Sequence, residues 1–556
     1  MTTNFKHSAL GTAITLALAA CGGGGGSSTD SAAPGATASL TLTGTAATGQ
    51  AIANAVVEAK CHIGTGTGVT KVDGSYSIDI AGGSLPCVLE VRPAAGATLH
   101  AVAEGSGTGT ATVNVTPLTE LVVAHATRGA PADLFASFDA AAQSKVNAAA
   151  VNAAMATLVA ALQGIVDVTG LNPMRDALVA ANGAVAGNAH DQKLDALKAA
   201  LAAAQTTLAE LTAAVAANAA SSAAIRTVVQ PATASCAGLR SGKYRVLNPH
   251  EVGFDATHVA HLISVDAARL SATDDADATR TPLALTAVSG SACKFTAPST
   301  HGTQTVYATR SGLAIALAPS STGQLRTSLI VPEQALPVAE LAGNWNFLEF
   351  SRDTTSSAFA QDAGTATIDA AGQLTGGSVC VGLNTCSAFT GALESFTVNA
   401  AGGFDLGTAR AFAFKTPSGK VSLFLIDRGT GSVTVLTKQA PLALPAVGLV
   451  QKFWDFTIAS NGVPSVPTDF TTTIKSVDSA AQTFSRERLS DGRIDSFENN
   501  RPREGLRHRP AGTSATTSGA SVSYSELVSM SLPDTGLTVY GLTATPTFFG
   551  VSVTRP

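Results

Sequence analysis

Between residues 36 and 116 apolar and polar positions alternate. "SLTLTGTAATGQAIANAVVEAKC" alternates, turns at Gly49 and alternates again, which is the period of half-buried strands. "VTKVDGSYSIDI" places Asp73-Gly74 between two such runs and predicts a hairpin there, and "CVLEVRP" is a further strand. The runs "GTGTG" at 64 and "GSGTG" at 105 are followed by no helix signature, so they read as loops and not as phosphate-binding turns. At "VTPLTELVVAHATRGAP", residues 115–131, the period becomes helical. Thr116 can cap, Pro117 suits the first helical position, and Glu120 sits near the capping-box position. Leu194, Leu197, Leu201, Leu208, Leu211 and Val215 form one apolar stripe and predict a long helix. A second helix is predicted over 139–166 and a shorter one over 172–181. Residues 131–228 are rich in alanine and nearly free of aromatics, which predicts a small helical bundle; a helix-in-groove partner surface is the alternative.

Beyond Cys236 the composition changes. Eighteen of the 21 phenylalanines, both tryptophans and four of the five tyrosines lie there, and large aromatics on pleated surfaces build β cores. "IDAAGQL" at 368 and "VNAAGGF" at 398 place Asp or Asn before a turn and Gly where a left-handed residue is needed, and "LIDRGTGSV" at 425 is a third such turn. They predict an antiparallel meander over 363–438. Three segments also start alike: "LRSGKYRVL" at 239, "LAGNWNFLEF" at 341 and, more loosely, "GLVQKFWDFTI" at 448. Two or three β units follow, either separate or fused into one sandwich or barrel. Gly343-Asn344-Trp345 resembles the G-x-W of lipocalin-type barrels. A membrane-spanning barrel is disfavoured because the aromatics are too few for two girdles.

In the first β segment, Gly44, Gly49, Ala55 to Val57, Thr70, Asp73-Gly74, Tyr76 and Val88 to Val91 together resemble the carboxypeptidase-regulatory-like, or prealbumin-like, β-sandwich family. That resemblance implies a structural or adhesive module without catalysis. Ahead of it stands a leader. Lys6 and His7 precede a run that is apolar or small through residue 20, too short to span a bilayer. Leu18-Ala19-Ala20-Cys21 resembles the bacterial lipobox, which implies cleavage before Cys21 and acylation of its thiol and amine. Gly22 to Gly26, Ser27 and Ser28 would then be a flexible tether. Glycine follows the cysteine where an inner-membrane retention signal usually shows Asp, so the resemblance favours the outer membrane. Several acyl chains suffice for stable anchoring.

The chain has 556 residues, a formal charge of −5 and only 13% charged side chains. Loss of the leader removes Lys6 and makes the balance more acidic, a poor match for nucleic acid. Cys21 takes the lipid. The six cysteines left are predicted to pair within their segments as Cys61–Cys87, Cys236–Cys293 and Cys380–Cys386, since partners must lie close and an exported chain meets an oxidising compartment. No CxxC spacing occurs, so zinc is not expected.

Candidate chemistry is sparse. His250, Glu251, Asp255, His258 and His261 are the densest histidine cluster, but they miss the helical metal motif and read as surface residues. Asp274, Asp275 and Asp277 lack the glycine and distal glutamate of a calcium loop. No nucleophile elbow and no Walker loop occur. The outstanding stretch is "SRERLSDGRIDSFENNRPREGLRHRP", 485–510, with seven arginines and five acidic residues in a chain otherwise poor in charge. Arg486 and Arg488 share a strand face, Arg507 and Arg509 share another, and "SDGR" supplies a hairpin turn. Arg486, Arg488, Arg501, Arg503, Arg507 and Arg509 are candidates for anion binding, because guanidinium forks hold carboxylates, phosphates and sulfated glycans bidentately. The opposing reading is an internal arginine–carboxylate network that sets hairpin register, and the near balance of charges favours it.

The expected protein is mainly β and multidomain. Its parts are a signal peptide (1–20), a tether (21–35), a β-sandwich (36–116), an alanine-rich helical module (117–230) and three antiparallel β units (236–338, 339–440 and 441–556). The expected function is that of an outer-membrane lipoprotein, periplasmic or surface-exposed, with a binding, adhesive or structural role and no catalysis. It would use no cofactor or metal, touch the membrane through its lipid, and take a protein or glycan partner. The alternatives are a lipocalin-like carrier of an apolar ligand, with its pocket near Trp345 or Trp454, and a hydrolase with a dispersed site.

Overall fold

The computed structural model describes residues 39–556 apart from 95, 184, 250–258, 278, 280, 354–357, 382–384, 518 and 544. Cys21, its leader and tether, and the cluster at His250, Glu251, Asp255 and His258 lie outside the described residues. The protein is mainly β. Its three disulfides join Cys61 to Cys87, Cys236 to Cys293 and Cys380 to Cys386. The first and third link residues directly opposite each other in antiparallel pairs.

The first β segment forms two facing sheets. Ser39–Thr45 pairs with Ser75–Ala81 and, in parallel, with Gly109–Thr112. The second sheet runs Thr65–Val69, Val56–Ile63, Ser84–Arg92, Leu99–Gly107. Alternation buries Leu40 and Leu42 from one sheet against Val57, Ala59 and Val91 from the other. Two expectations change here. The Asp73-Gly74 turn does not close a hairpin; it carries the chain from one sheet to the other, because Thr65–Val69 pairs with Val56–Ile63 while Ser75–Ala81 pairs with Ser39–Thr45. And the two glycine runs read as loops are mostly strand: "GTGTG" beyond Gly64 lies in Thr65–Val69, and "GSGTG" ends Leu99–Gly107 and starts Gly109–Thr112. A Cβ at Gly66 or Gly68 would come within 2.6 and 2.9 Å of the Ile78 side chain, so the glycines let the sheets approach.

The helices share one core with this sandwich. Thr116 caps Pro117–Thr127 in a capping box with Thr119, not Glu120. Glu120 turns to the sandwich instead, accepting from the backbone and ring Nδ1 of His100 at 2.6 and 2.9 Å, while Glu90 meets Nε2 at 3.1 Å. Burial alone would lower the His100 pKa, but the two carboxylates outweigh it and hold it above the usual value. The predicted long helix is two, Ala189–Ala203 and Leu208–Ala217, bent by 92°. Gln205 is left-handed (φ 49°), and Thr207 starts the second helix in a reciprocal capping box with Glu210. The 139–166 helix is divided in the same way into Ala140–Ser144 and Ala148–Leu162, because Asn147 caps the second piece. Residues 172–181 are turns and extended chain, and Asn114 bonds the carbonyls of Pro173 and Asp176 that a helix would use.

The remaining chain repeats one plan three times. In a nine-stranded sheet the first strand, Gly242–Leu247, pairs with the last, Leu325–Pro332. In a second nine-stranded sheet Gly343–Arg352 pairs with Val433–Lys438. In each, the two edge strands follow one another in the chain: Leu283–Ala284 then Thr286–Ala287, and Thr385–Ala388 then Thr397–Val398. Each sheet is therefore an up-and-down ring left open at one point. The third copy closes: eight strands from Val450–Ile458 to Thr545–Thr554 form a barrel whose first and last strands pair. The three similar segment starts are the three strands that close these rings. The predicted meander over 363–438 is accordingly two meanders, joined through Gly343–Arg352. The units are fused, since one hydrophobic core takes Phe295 and Tyr307 from the first, Phe350 and Phe424 from the second, and Trp454 and Met530 from the third.

The second ring is filled by Trp345, Phe347, Phe404 and Leu423. Near its end Glu349 lies directly opposite Asp362. Burial, reinforced by Asp362, pushes the Glu349 carboxyl from 4.5 up to about 7. Between those values the folded chain holds a proton that the unfolded chain releases, so stability falls as pH rises through that window. Glu349→Gln has no such term. Urea midpoints at pH 5 and pH 8 should show the variant gaining on the order of 2–3 kcal/mol over the parent at the higher pH. A difference independent of pH would refute this account.

Candidate functional site

The arginine-rich stretch builds the wall of the closed barrel. Thr483–Arg488 and Ile494–Asn499 are antiparallel, with Phe484 opposite Phe497 and Arg486 opposite Asp495. The turn between them contains Gly492 at φ 72°. Alternation turns Phe484, Arg486 and Arg488 inward from one strand and Arg493, Asp495 and Phe497 inward from the other. The neighbouring strand Arg507–Arg509 adds Arg507 and Arg509. Inside lies a cavity of about 970 Å³, within the range of small-molecule sites.

Its charges are unevenly matched. Arg488 is taken by Asp491, which it grips with both nitrogens of its fork, and that contact holds the Asp491 carboxyl down at about 2. Asp495, 2% exposed, faces three guanidinium groups: Arg493 at 2.9 Å, Arg509 at 3.7 Å and Arg486 at 3.8 Å. Asp455 accepts from Tyr540 at 2.8 Å and from Ser552. Burial raises the Asp455 carboxyl, against the pull of those hydroxyls and of Arg486 and Arg488. Arg507 has neutral partners, Asn499 at 3.1 Å and Ser531 at 3.3 Å. Burial lowers the pKa of Arg507 and Arg509, and brings Arg486 down to about 10. The planes rest on aromatic rings: Arg486 over Phe497 at 4.5 Å, Arg509 over Tyr524 at 5.0 Å and Arg507 over Phe484 at 5.7 Å. Nε of Arg486, Arg493 and Arg509 and Oδ1 of Asp495 are buried without a hydrogen-bond partner among the described residues.

Four of the six candidate arginines thus meet in one cavity, and Arg493 joins them. Arg501 and Arg503 do not, because residues 500–506 leave the barrel wall as a connection between strands. Arg501 is exposed there. Arg503 reaches the second ring, donating toward Asn346 and toward the sulfurs of Cys380 and Cys386 at 3.5 and 3.7 Å. The two arginine pairs, read as separate faces, share one interior because the barrel closes. Asp455, Tyr540 and Ser552 were missed, since they lie far away in sequence. The available signal was the spacing Phe484-Arg486-Arg488 mirrored by Arg493-Asp495-Phe497, which matches two inward faces across a hairpin.

The other candidates stay apart. Trp345 is fully buried in the filled second ring, its indole N–H donating to Leu341 at 2.9 Å. Trp454 points out of the barrel into the shared core beside Tyr307. Neither lines the cavity. Among the described residues, no group of three His, Cys, Asp or Glu is placed to hold a metal ion. His100 and His508 each contact two carboxylates.

No protein-family model matches the chain, and no curated protein is significantly similar to it. Among solved structures it is similar to transferrin binding protein B of Neisseria meningitidis, at 7% identity and a TM-score of 0.20, over 53% of this chain and 65% of that one. It is similar to the same protein of Haemophilus parasuis at 8% identity and a TM-score of 0.19, over 57% and 75%. A protein of unknown function from Nostoc punctiforme aligns at 12% identity and a TM-score of 0.15, over 39% and 96%. These values assign the chain to none of those families.

Proposed function

We propose that this chain is an envelope lipoprotein whose closed C-terminal barrel binds an anionic ligand, and that its role is binding without catalysis. One observation carries the reading: five inward arginines surround a small-molecule-sized cavity, and once Asp491 has taken Arg488 the other four face two buried carboxylates among the described residues, Asp455 and Asp495. Unpaired buried charge is costly, so such a cavity favours an anion that supplies the missing counter-charge. Acylation at Cys21 would hold the chain at the outer membrane. The N-terminal sandwich, of carboxypeptidase-regulatory-like type, and the helices would space the rings from the lipid. A protein or glycan partner for the outer surface belongs to the same proposal.

Thermal unfolding of the mature chain at constant ionic strength tests the barrel reading. Multivalent or organic anions should raise the midpoint in a concentration-dependent way, while chloride of equal ionic strength should not. Equal midpoints in every anion would sink it. For the anchor, Cys21→Ala should move the chain from the membrane to the soluble envelope fraction. Retention at the membrane would reject acylation as the tether.

A further inference from the structure

Resting on the anion-binding reading of the barrel, we infer that its ligand is a small organic dianion with an aromatic or apolar body, of the phosphomonoester or dicarboxylate class. The charge count sets the valence. Arg486, Arg493, Arg507 and Arg509 face the interior, and Asp455 and Asp495 oppose them. Arg488 is already neutralised by Asp491. The other acids of the lining, Asp469 and Asp534, are exposed: Asp469 pairs with Arg555, and the charge of Asp534, which accepts from Ser418, is screened by solvent. Two positive charges remain, and a dianion balances them.

The position of the charge follows from the partners. Arg486, Arg493 and Arg509 converge on the single carboxylate of Asp495. Their Nε donors are buried and have no acceptor among the described residues. Among the described residues Arg507 bonds an amide oxygen and a hydroxyl oxygen and no carboxylate. A planar or tetrahedral oxyanion beside Arg507 and Arg509 accepts from such forks, which suit bidentate contact.

The body follows from volume and from the unused rings. An inorganic ion would fill a small part of about 970 Å³. The arginines rest on Phe484, Phe497 and Tyr524. A second aromatic wall is left over. Phe453 and Phe470 lie 5.4 Å apart, and Tyr540 and Phe548 lie 6.0 Å apart; all four line the cavity. Rings at such separations offer faces and edges on which an apolar body packs.

Isothermal titration of the mature chain at pH 8 decides the matter with four probes: phenyl phosphate, phthalate, inorganic phosphate and benzoate. Phenyl phosphate and phthalate should compete for one site, each binding about ten-fold or more tighter than inorganic phosphate or benzoate. Arg507→Gln should weaken both dianions by about ten-fold or more with the fold intact, since it strands no charge. Arg507→Lys should recover part of the affinity, and it serves as the second test if the glutamine variant fails to fold. Phe453→Leu should weaken phenyl phosphate and leave inorganic phosphate unchanged. Inorganic phosphate binding as tightly as phenyl phosphate would overturn the organic body and leave anion binding standing. Benzoate binding as tightly as phthalate would overturn the double charge. If no probe binds, the anion-binding reading of the barrel falls with it.

Discussion

Asp495→Ala is expected to cost about 3–5 kcal/mol of stability, the scale for stripping a partner from buried charges. Asp495 is the one carboxylate that Arg486, Arg493 and Arg509 share, and it is 2% exposed. Its removal leaves three guanidinium groups facing each other around a cavity. Asp495→Asn should lie between parent and alanine variant, because the amide oxygen still accepts from Arg493 but carries no charge. Urea unfolding followed by far-UV circular dichroism gives the number. Added phosphate should restore part of the loss in the alanine variant, since a bound anion supplies the counter-charge that Asp495 gave up. A loss below about 1 kcal/mol would mean that water in the cavity already solvates these arginines, and the charge argument for a ligand would weaken with it.

Trp454→Ala is the second large effect, at about 3–5 kcal/mol. The indole is 1% exposed, leaves the barrel wall on its outer face, lies 5.1 Å from Tyr307 of the first ring, and carries Arg555 over it at 5.3 Å. Alanine there opens a void between two rings, not within one. Because all three rings share that core, the lost stability should appear as a downward shift of a single calorimetric transition for the β region. A new, separate low-temperature transition of the barrel alone would show that the rings fold independently and that the shared core is loosely coupled.

Much of the architecture was legible along the chain, and the reason is local. Alternation at Leu40-Leu42 and Phe484-Arg486 marks strands, because side-chain period two belongs to the extended backbone itself. Cysteine partners were legible because each pair falls within one segment of like composition. The errors share a cause. The stripe from Leu194 to Val215 is helical on both sides of Gln205, yet a left-handed residue and a capping box divide it without changing the period of the leucines. Asp73-Gly74 has hairpin chemistry, yet the strands it joins pair with different neighbours.

For the candidate site, the sequence by itself determined the strands of the hairpin, the concentration of arginine and the shared face of Phe484, Arg486 and Arg488. Those follow from residue type and alternation, which need no distant partner. Only the tertiary structure decided whether that face looks at solvent, at a core or into a cavity. Closure of eight strands turns the two arginine pairs toward one another, brings in Asp455 from the first strand and Tyr540 and Ser552 from the last two, and leaves Arg501 and Arg503 outside. Two rings of the same plan stay open, and the second is filled with aromatics. A strand's periodicity tells which side chains share a face; which space that face encloses depends on how the last strand meets the first.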